Sequence, residues 1–224
     1  GYVMTYDPRT DTAESLGMPY PGQGVIDVVA DEGRGIIYVV PLNAEKPWTL
    51  YDIKTGKYSE LGPILSPFST TLIDNRGRAG AITNDFELAQ YDPDTGKLTV
   101  RPIEVGGRKL EPGTKFAWVP NWNLGNDGRT AYLIQMTDPT LYAIDLHSEG
   151  SVVKAVSHGP MLTGKNFDSR CALSVAPDGR VYMVIRVDNE TGFGAYYLHH
   201  LVRFDPASSK VDDLGVLAVK NPDF

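Results

Sequence analysis

The chain has 224 residues, 42% apolar and 22% charged, and its 21 basic and 28 acidic side chains leave a net charge of −7. Such a balance suits a globular protein, and with no basic run longer than two residues it argues against a nucleic-acid partner, which would want a clustered Lys/Arg footprint. No stretch approaches the roughly 18 apolar residues of a membrane span, and no signal-peptide pattern opens the sequence.

Taken in chain order, Gly1-Tyr2-Val3-Met4-Thr5-Tyr6 reads as a strand already under way, and residues 1–17 supply only two strands. From residue 23 a fuller pattern begins. Gly24–Ala30 is a β-rich run ending at the turn Asp31-Glu32-Gly33-Arg34. Gly35–Val40 is the next, broken by Pro41. Trp48–Asp52 is a third, ending in Lys54-Thr55-Gly56, and Lys57–Leu61 is a fourth, closed by Gly62-Pro63. Four short runs with turn chemistry between them predict four antiparallel strands. The same reading fits residues 68–101, 116–156 and 170–214. Helical periodicity is absent, because Gly or Pro interrupts every candidate window.

Two markers recur along these units. The first is Asp31–Arg34, Asn75-Arg76-Gly77-Arg78, Asn126-Asp127-Gly128-Arg129 and Pro177-Asp178-Gly179-Arg180, with the Gly-Arg pairs 44, 51 and 51 residues apart. The second is Tyr6-Asp7-Pro8, Tyr51-Asp52-Ile53, Tyr91-Asp92-Pro93, Ile144-Asp145-Leu146 and Phe204-Asp205-Pro206. Glycine permits φ > 0 at a tight turn, and Asp or Asn can bond its own backbone two residues on. Because both markers occur at every unit, they are read as scaffold and not as chemistry.

Four-stranded antiparallel units of this length resemble the blades of a β-propeller. The Tyr-Asp-Pro-x-Thr-Gly and Asp-Gly-Arg-x-Tyr pattern is similar to bacterial propellers of the streptogramin-lyase, gluconolactonase-like and kelch-like kind. It lacks the WD dipeptide, and the kelch paired glycine occurs once, as Gly106-Gly107 in a loop. The resemblance covers nearly the whole chain and concerns the fold. It implies an all-β chain of a half-blade at 1–17 and blades at about 23–62, 66–103, 116–156 and 170–216. About four and a half blades make an incomplete ring, so the expectation is a single domain or fragment with further blades elsewhere in a longer chain.

The resemblance also implies which face binds. In such folds ligands sit on loops joining strand two to three of a blade and strand four to the next, here 18–24, 41–47, 62–67, 84–87, 102–115, 135–140, 157–169 and 186–198. Loops on a rigid scaffold commonly carry function. Residues 157–169 carry His158, Lys165 and Asp168 and lead to Arg170. Residues 186–198 carry Arg186, Asp188, Asn189, Glu190, Tyr196 and Tyr197 and run into His199 and His200. Both flank one blade and should meet at one rim. Tyr196, Tyr197, Trp118 and Trp122 are candidate saccharide platforms, with His158, Lys165 and Arg186 as further ligand-binding residues. For a β-eliminating lyase, His199 or His200 with Tyr196 or Tyr197 would be base and acid, and Arg170 would stabilise the developing enolate. The competing reading packs these histidines and tryptophans as structural residues.

No cofactor and no metal is expected. Adjacent His199 and His200 on a strand point to opposite faces, Asp127 and Asp138 lack the oxygen spacing of a calcium loop, and there is no Gly-x-Ser-x-Gly elbow. Cys171, the single cysteine, sits in an apolar run and reads as a small buried hydrophobe. One cysteine does not separate cytoplasm from periplasm; a secreted or periplasmic setting is the preferred expectation. The functional expectation is therefore a propeller binding domain for a saccharide, small molecule or protein partner. The alternative is a propeller lyase or hydrolase acting on an acidic saccharide or lactone.

Overall fold

The computed structural model describes residues 1–42, 45–111, 120–169 and 172–217. Two compact units divide the chain, Gly1–Ile103 and Glu104–Phe224. Among the described residues every regular element is a strand, and none is a helix long and apolar enough to cross a membrane.

In the first unit β1 (Val3–Asp7) pairs antiparallel with β2 (Thr12–Gly17). A four-stranded sheet follows in sequence order: β3 (Val25–Asp31), β4 (Ile36–Pro41), β5 (Pro47–Asp52) and β6 (Lys57–Ile64). The next four, β7 (Leu72–Ile73), β8 (Ala79–Ile82), β9 (Glu87–Asp92) and β10 (Lys97–Val105), pair the same way. Strand β4 is apolar without alternation and buried along almost its whole length, because its sheet is covered on both faces. Ile37 and Val39 pack with Val3, Tyr20 and Tyr51. Tyr38 and Val40 pack the other way, with Trp48, Ala79, Ala81 and Ala89. The alanines of β8 and β9 let the sheets approach closely enough to bury Trp48 and Tyr38 completely, each large side chain contributing on the order of 2–3 kcal/mol.

In the second unit β11 (Arg108–Lys109) folds back on the end of β10. Strands β12 (Pro120–Leu124), β13 (Thr130–Gln135), β14 (Asp138–Asp145) and β15 (Val153–Pro160) pair in order. So do β16 (Leu173–Val175), β17 (Val181–Asp188), β18 (Tyr197–Asp205) and β19 (Lys210–Val216). Val181, Met183, Ile185 and Val187 of β17 pack with Val202 and Phe204 of β18 against Ile134 and Leu141. Within each unit, four-stranded antiparallel sheets packed on a neighbour through one face have the form of propeller blades.

The recurring turns are hydrogen-bonded as their sequence implies. Asp52, Asp92, Asp145 and Asp205 each accept a backbone N–H two residues on, at 2.8, 3.0, 2.9 and 3.0 Å. The arginine that follows the glycine in each copy of the other marker is ion-paired. Arg34 reaches Asp94 at 2.7 Å and Asp31 at 3.0 Å, Arg78 pairs with Asp74, Arg129 with Asp145 and Arg180 with Asp178. Arg129 holds the Asp145 carboxyl below its ordinary range. At Gly77 (φ 77°) the left-handed backbone favours glycine, and a Cβ would have to push aside the Arg34 guanidinium that packs against it.

Two boundaries at prolines differ from the sequence expectation: β4 takes in Pro41, which pairs with Val25 instead of breaking the strand. Gly62-Pro63 does not close β6; the strand continues to Ile64, with Pro47 paired to Ile64 and Thr49 to Glu60 across a bulge. Proline is tolerated there because β6 is the outer strand of its sheet and Pro63 sits in the bulge.

Candidate functional site

The loop end of the β16–β19 blade is built by alternation. Strand register sets Arg186 opposite His199 and Asp188 opposite Tyr197, on the face turned away from Ile185 and Val187 in the core. The loop 157–169 comes to the same rim. Asp168 and Arg186 exchange backbone hydrogen bonds of 3.0 and 2.8 Å, and Asp188 N–H donates to Lys165 C=O at 3.0 Å. Side chains reinforce the junction: Asn166 donates to Asp188 at 2.6 Å, and Lys165 pairs with Glu190 at 2.9 Å. That pair raises the Lys165 pKa. Ser169 anchors the loop from below, its N–H donating to Met136 C=O at 2.8 Å and its hydroxyl to Gln135 C=O at 3.0 Å, while Asn121 donates to Ser169 C=O.

Arg186 is held on two sides. Its guanidinium pairs with the Asp168 carboxylate at 3.1 Å. It also lies over the Tyr197 ring, 4.5 Å from the centroid, a cation–π arrangement worth about 0.5–1 kcal/mol where partly exposed. The Asp168 side chain is only 10% exposed, so it fixes the guanidinium as a buried carboxylate would. His199 stands edge-on to Tyr197 with ring centroids 5.8 Å apart. Asp168, Ala172, Val184, Arg186 and His199 line an open cavity of about 250 Å³. That is below the ~300–1,000 Å³ of a drug-sized site, so it takes one ring or one charged group of a larger ligand.

Beside the cavity, the turn between β17 and β18 is tied by Asn189. Its amide donates to Phe193 C=O at 2.6 Å and Ala195 C=O at 2.7 Å, and its side-chain oxygen accepts from the Thr191 hydroxyl at 2.6 Å. Gly192 and Gly194 take φ of 76° and 80°. The result is a bound-up turn that leaves Phe193 84% and Tyr196 93% exposed.

The structure thus brings Arg186, Tyr197 and His199 to one face, with Lys165 and Tyr196 on the adjoining loops. His200 lies on the opposite face, opposite Ile185, and pairs with Asp213 of β19 at 2.8 Å. His158 stacks against Phe204 with centroids 4.7 Å apart, and burial lowers its pKa. Trp122 is buried in β12. Arg170, Trp118 and Cys171 lie outside the described residues. Asn166 was not singled out by the sequence, because its bond to Asp188 joins a loop to a strand 22 residues on and no local spacing marks it. No group of three or more His, Cys, Asp or Glu gathers as metal ligands would among the described residues.

No protein-family model matches the chain, and no curated protein is similar to it. Solved structures are. Virginiamycin B lyase from Staphylococcus aureus aligns with a TM-score of 0.51 at 11% identity, over 90% of this chain and 72% of its own. YCF48 bound to D1 peptide aligns at 0.56 and 14% identity, over 92% and 57%. An auxiliary nutrient binding protein from Bacteroides thetaiotaomicron aligns at 0.51 and 10% identity, over 98% and 57%. At these identities the likeness shows the fold, that of β-propeller proteins. The chain spans 57% to 72% of the length of these three neighbours.

Proposed function

We propose that this chain is a binding propeller whose loop face holds a carboxylate-bearing ligand, an acidic saccharide in the first instance, at Arg186. The observation that carries the reading is the placement of that guanidinium. It is oriented by Asp168 and Tyr197 at the wall of a 250 Å³ cavity, with His199 facing it. A fixed planar fork recognises a carboxylate by paired N–H donors. The exposed rings of Tyr196 and Phe193 next to it supply flat apolar surface of the kind that sugar rings stack on. Cation plus aromatic platform, in a hollow sized for one ring, supports a uronate better than an uncharged ligand. A protein partner's acidic side chain would satisfy the same donors. A nutrient binding protein and a peptide-bound protein among the neighbours in fold are consistent with a recognition role.

Elimination is the second reading, favoured by the Tyr197–His199 contact beside a cation. There His199 would remove the proton α to the carboxylate, Tyr197 would protonate the leaving oxygen, and Arg186 would stabilise the enolate. Isothermal titration of the chain with oligogalacturonate and with its methyl ester separates these ideas. The binding reading predicts heat from the acid form, at least about tenfold weaker binding of the ester, and an unchanged ligand. Unsaturated product absorbing in the ultraviolet would establish elimination. Equal affinity for acid and ester would sink the carboxylate site.

A further inference from the structure

The strands that carry the second recurring turn marker share one place in their sheets, with an exception at β1. β5, β9, β14 and β18 are each hydrogen-bonded to a strand on both edges. β1, which carries Tyr6-Asp7-Pro8, is paired to β2, and among the described residues its other edge meets no strand. The residue before each marker aspartate shows the result. Tyr51, Ile144 and Phe204 are buried, whereas Tyr6 is 62% exposed, its hydroxyl donating to Asp11 at 2.8 Å. Met4 and Tyr2, two and four residues earlier and so on the same face, are exposed as well.

The same gap bares the sheet beneath. Val3 packs with Ile37 and Val39 of β4, Gly17 at the end of β2 lies near Tyr58 of β6, and Gly1 lies near Val25 of β3. The open edge of β1 therefore looks toward β3. There Val28, registered opposite Val39 and so on the same face of the sheet, is 47% exposed, and Ala30 beside it is exposed too. In the second unit, Leu173 and Val175 of the first strand β16 are instead packed against the cluster that Ile134 and Leu141 of the four-stranded sheet β12–β15 share. Exposed sheet edges are ordinarily blunted by charge or proline, as β2 is by Glu14, β6 by Pro63 and β19 by Lys210, Asp212 and Asp213. Val3-Met4-Thr5-Tyr6 carries neither, and one register shift, between Val3 and Met4, is its irregularity.

We propose that β1 is an acceptor edge, which takes an extended apolar segment of a partner protein as an added antiparallel strand. The backbone N–H and C=O groups of β1 pair with those of the segment, and the segment's alternate side chains meet two different surfaces. One set falls on Val28 and Ala30, and the other lies beside Tyr2, Met4 and Tyr6. Both surfaces are apolar, so the segment is apolar at successive positions and not only at alternate ones. The strand in this place beside β5 has that character: Ile36-Ile37-Tyr38-Val39-Val40-Pro41, buried along almost its whole length. A second copy adding its own β1 would be related by a two-fold axis normal to the sheet. That operation carries its β3–β6 sheet onto the face where this copy's β3 already lies. The occupant is therefore a lone segment and not another copy of this chain.

The test uses a fluorescein-labelled peptide of residues 30–41, which holds that strand and the charged turn before it, with fluorescence anisotropy and amide hydrogen exchange as readouts. The intact chain should bind the peptide, and at saturation exchange at Val3–Tyr6 should slow by at least about tenfold while β18 is unchanged. Only alternate nitrogens of an added strand face its neighbour. Methylating the Ile37 and Val39 nitrogens of the peptide, or those of Tyr38 and Val40, should therefore weaken binding unequally, by at least about tenfold for one set. Met4→Ser and Val28→Ser in the chain, both at exposed positions, should each weaken binding about threefold. Arg186→Gln should leave peptide binding unchanged, so that failure here is distinguishable from failure of the Arg186 site. Absence of binding, binding without slowed exchange in β1, or equal weakening by both methylated peptides would overturn the proposal. So would concentration-dependent self-association that protects β1, since the edge would then hold a second copy.

Discussion

Arg180 and Arg186 sit six residues apart at opposite ends of β17, and each is paired with an aspartate. Arg180 takes Asp178 from its own turn at 2.8 Å, with both side chains more than 40% exposed. Arg186 takes Asp168 from a separate loop at 3.1 Å, stacks on Tyr197 and lines a cavity. The first pair closes a turn repeated in the other blades; Asp178 borders a hollow of about 260 Å³ among the turns, but the Arg180 guanidinium does not line it. The second occurs where the repeat is interrupted and leaves one side of the guanidinium open. An arginine's surroundings, more than its ion pair, separate a scaffold residue from a recognition residue.

The comparison breaks or sharpens at several points. The largest expected effect is on stability. Asp168→Asn removes a nearly buried carboxylate and leaves Arg186 uncompensated, which should cost about 1–3 kcal/mol in urea denaturation. Asp178→Asn should leave the midpoint unchanged. If both variants melt alike, the two ends of β17 are equivalent and the distinction fails. Next is Tyr197→Ala, which should weaken oligogalacturonate binding by about 0.5–1 kcal/mol through the lost cation–π contact, while Tyr197→Phe keeps it. The smallest effect is on pH dependence. Burial against Phe204 puts the folded pKa of His158 below its unfolded value of 6.5. Its contribution is therefore present above that pH and is lost as pH falls through the folded pKa. Partial exposure limits the loss to less than about 1 kcal/mol. Relative to His158→Phe, wild type should lose stability as pH falls below 6.5, and a stability difference that does not change with pH would contradict the burial of the histidine.

The turn end of this blade was legible in the sequence, and the loop end was legible only in part. The aspartate-to-backbone bonds of the Tyr-Asp-Pro turns run to the residue two on, so that chemistry is local and shows in the letters, whereas Arg34 reaches Asp94 and Arg129 reaches Asp145 across the sheet. Neighbouring His199 and His200 had to face opposite ways for the same local reason, and they do. The pairing of Arg186 with His199 depends on the length and shape of the turn tied by Asn189, which turn rules do not specify. Asp168 meets Arg186 by a loop-to-strand contact that no periodicity encodes. The continuation of β6 through Pro63 was hidden because proline stops a strand only where its missing N–H would have had a ladder partner. The loops 62–67 and 84–87 were recognisable as irregular, but that they border one hollow of about 640 Å³ with Leu98 and Val100 is a matter of how the strands pair, which the letters do not give.

The most direct measurement is calorimetric titration of oligogalacturonate into Arg186→Gln and Arg180→Gln side by side with the wild type. The account predicts at least about tenfold weaker binding for Arg186→Gln, with Arg180→Gln within about twofold of wild type. Equal affinities for all three, or an equal loss in both variants, would contradict it.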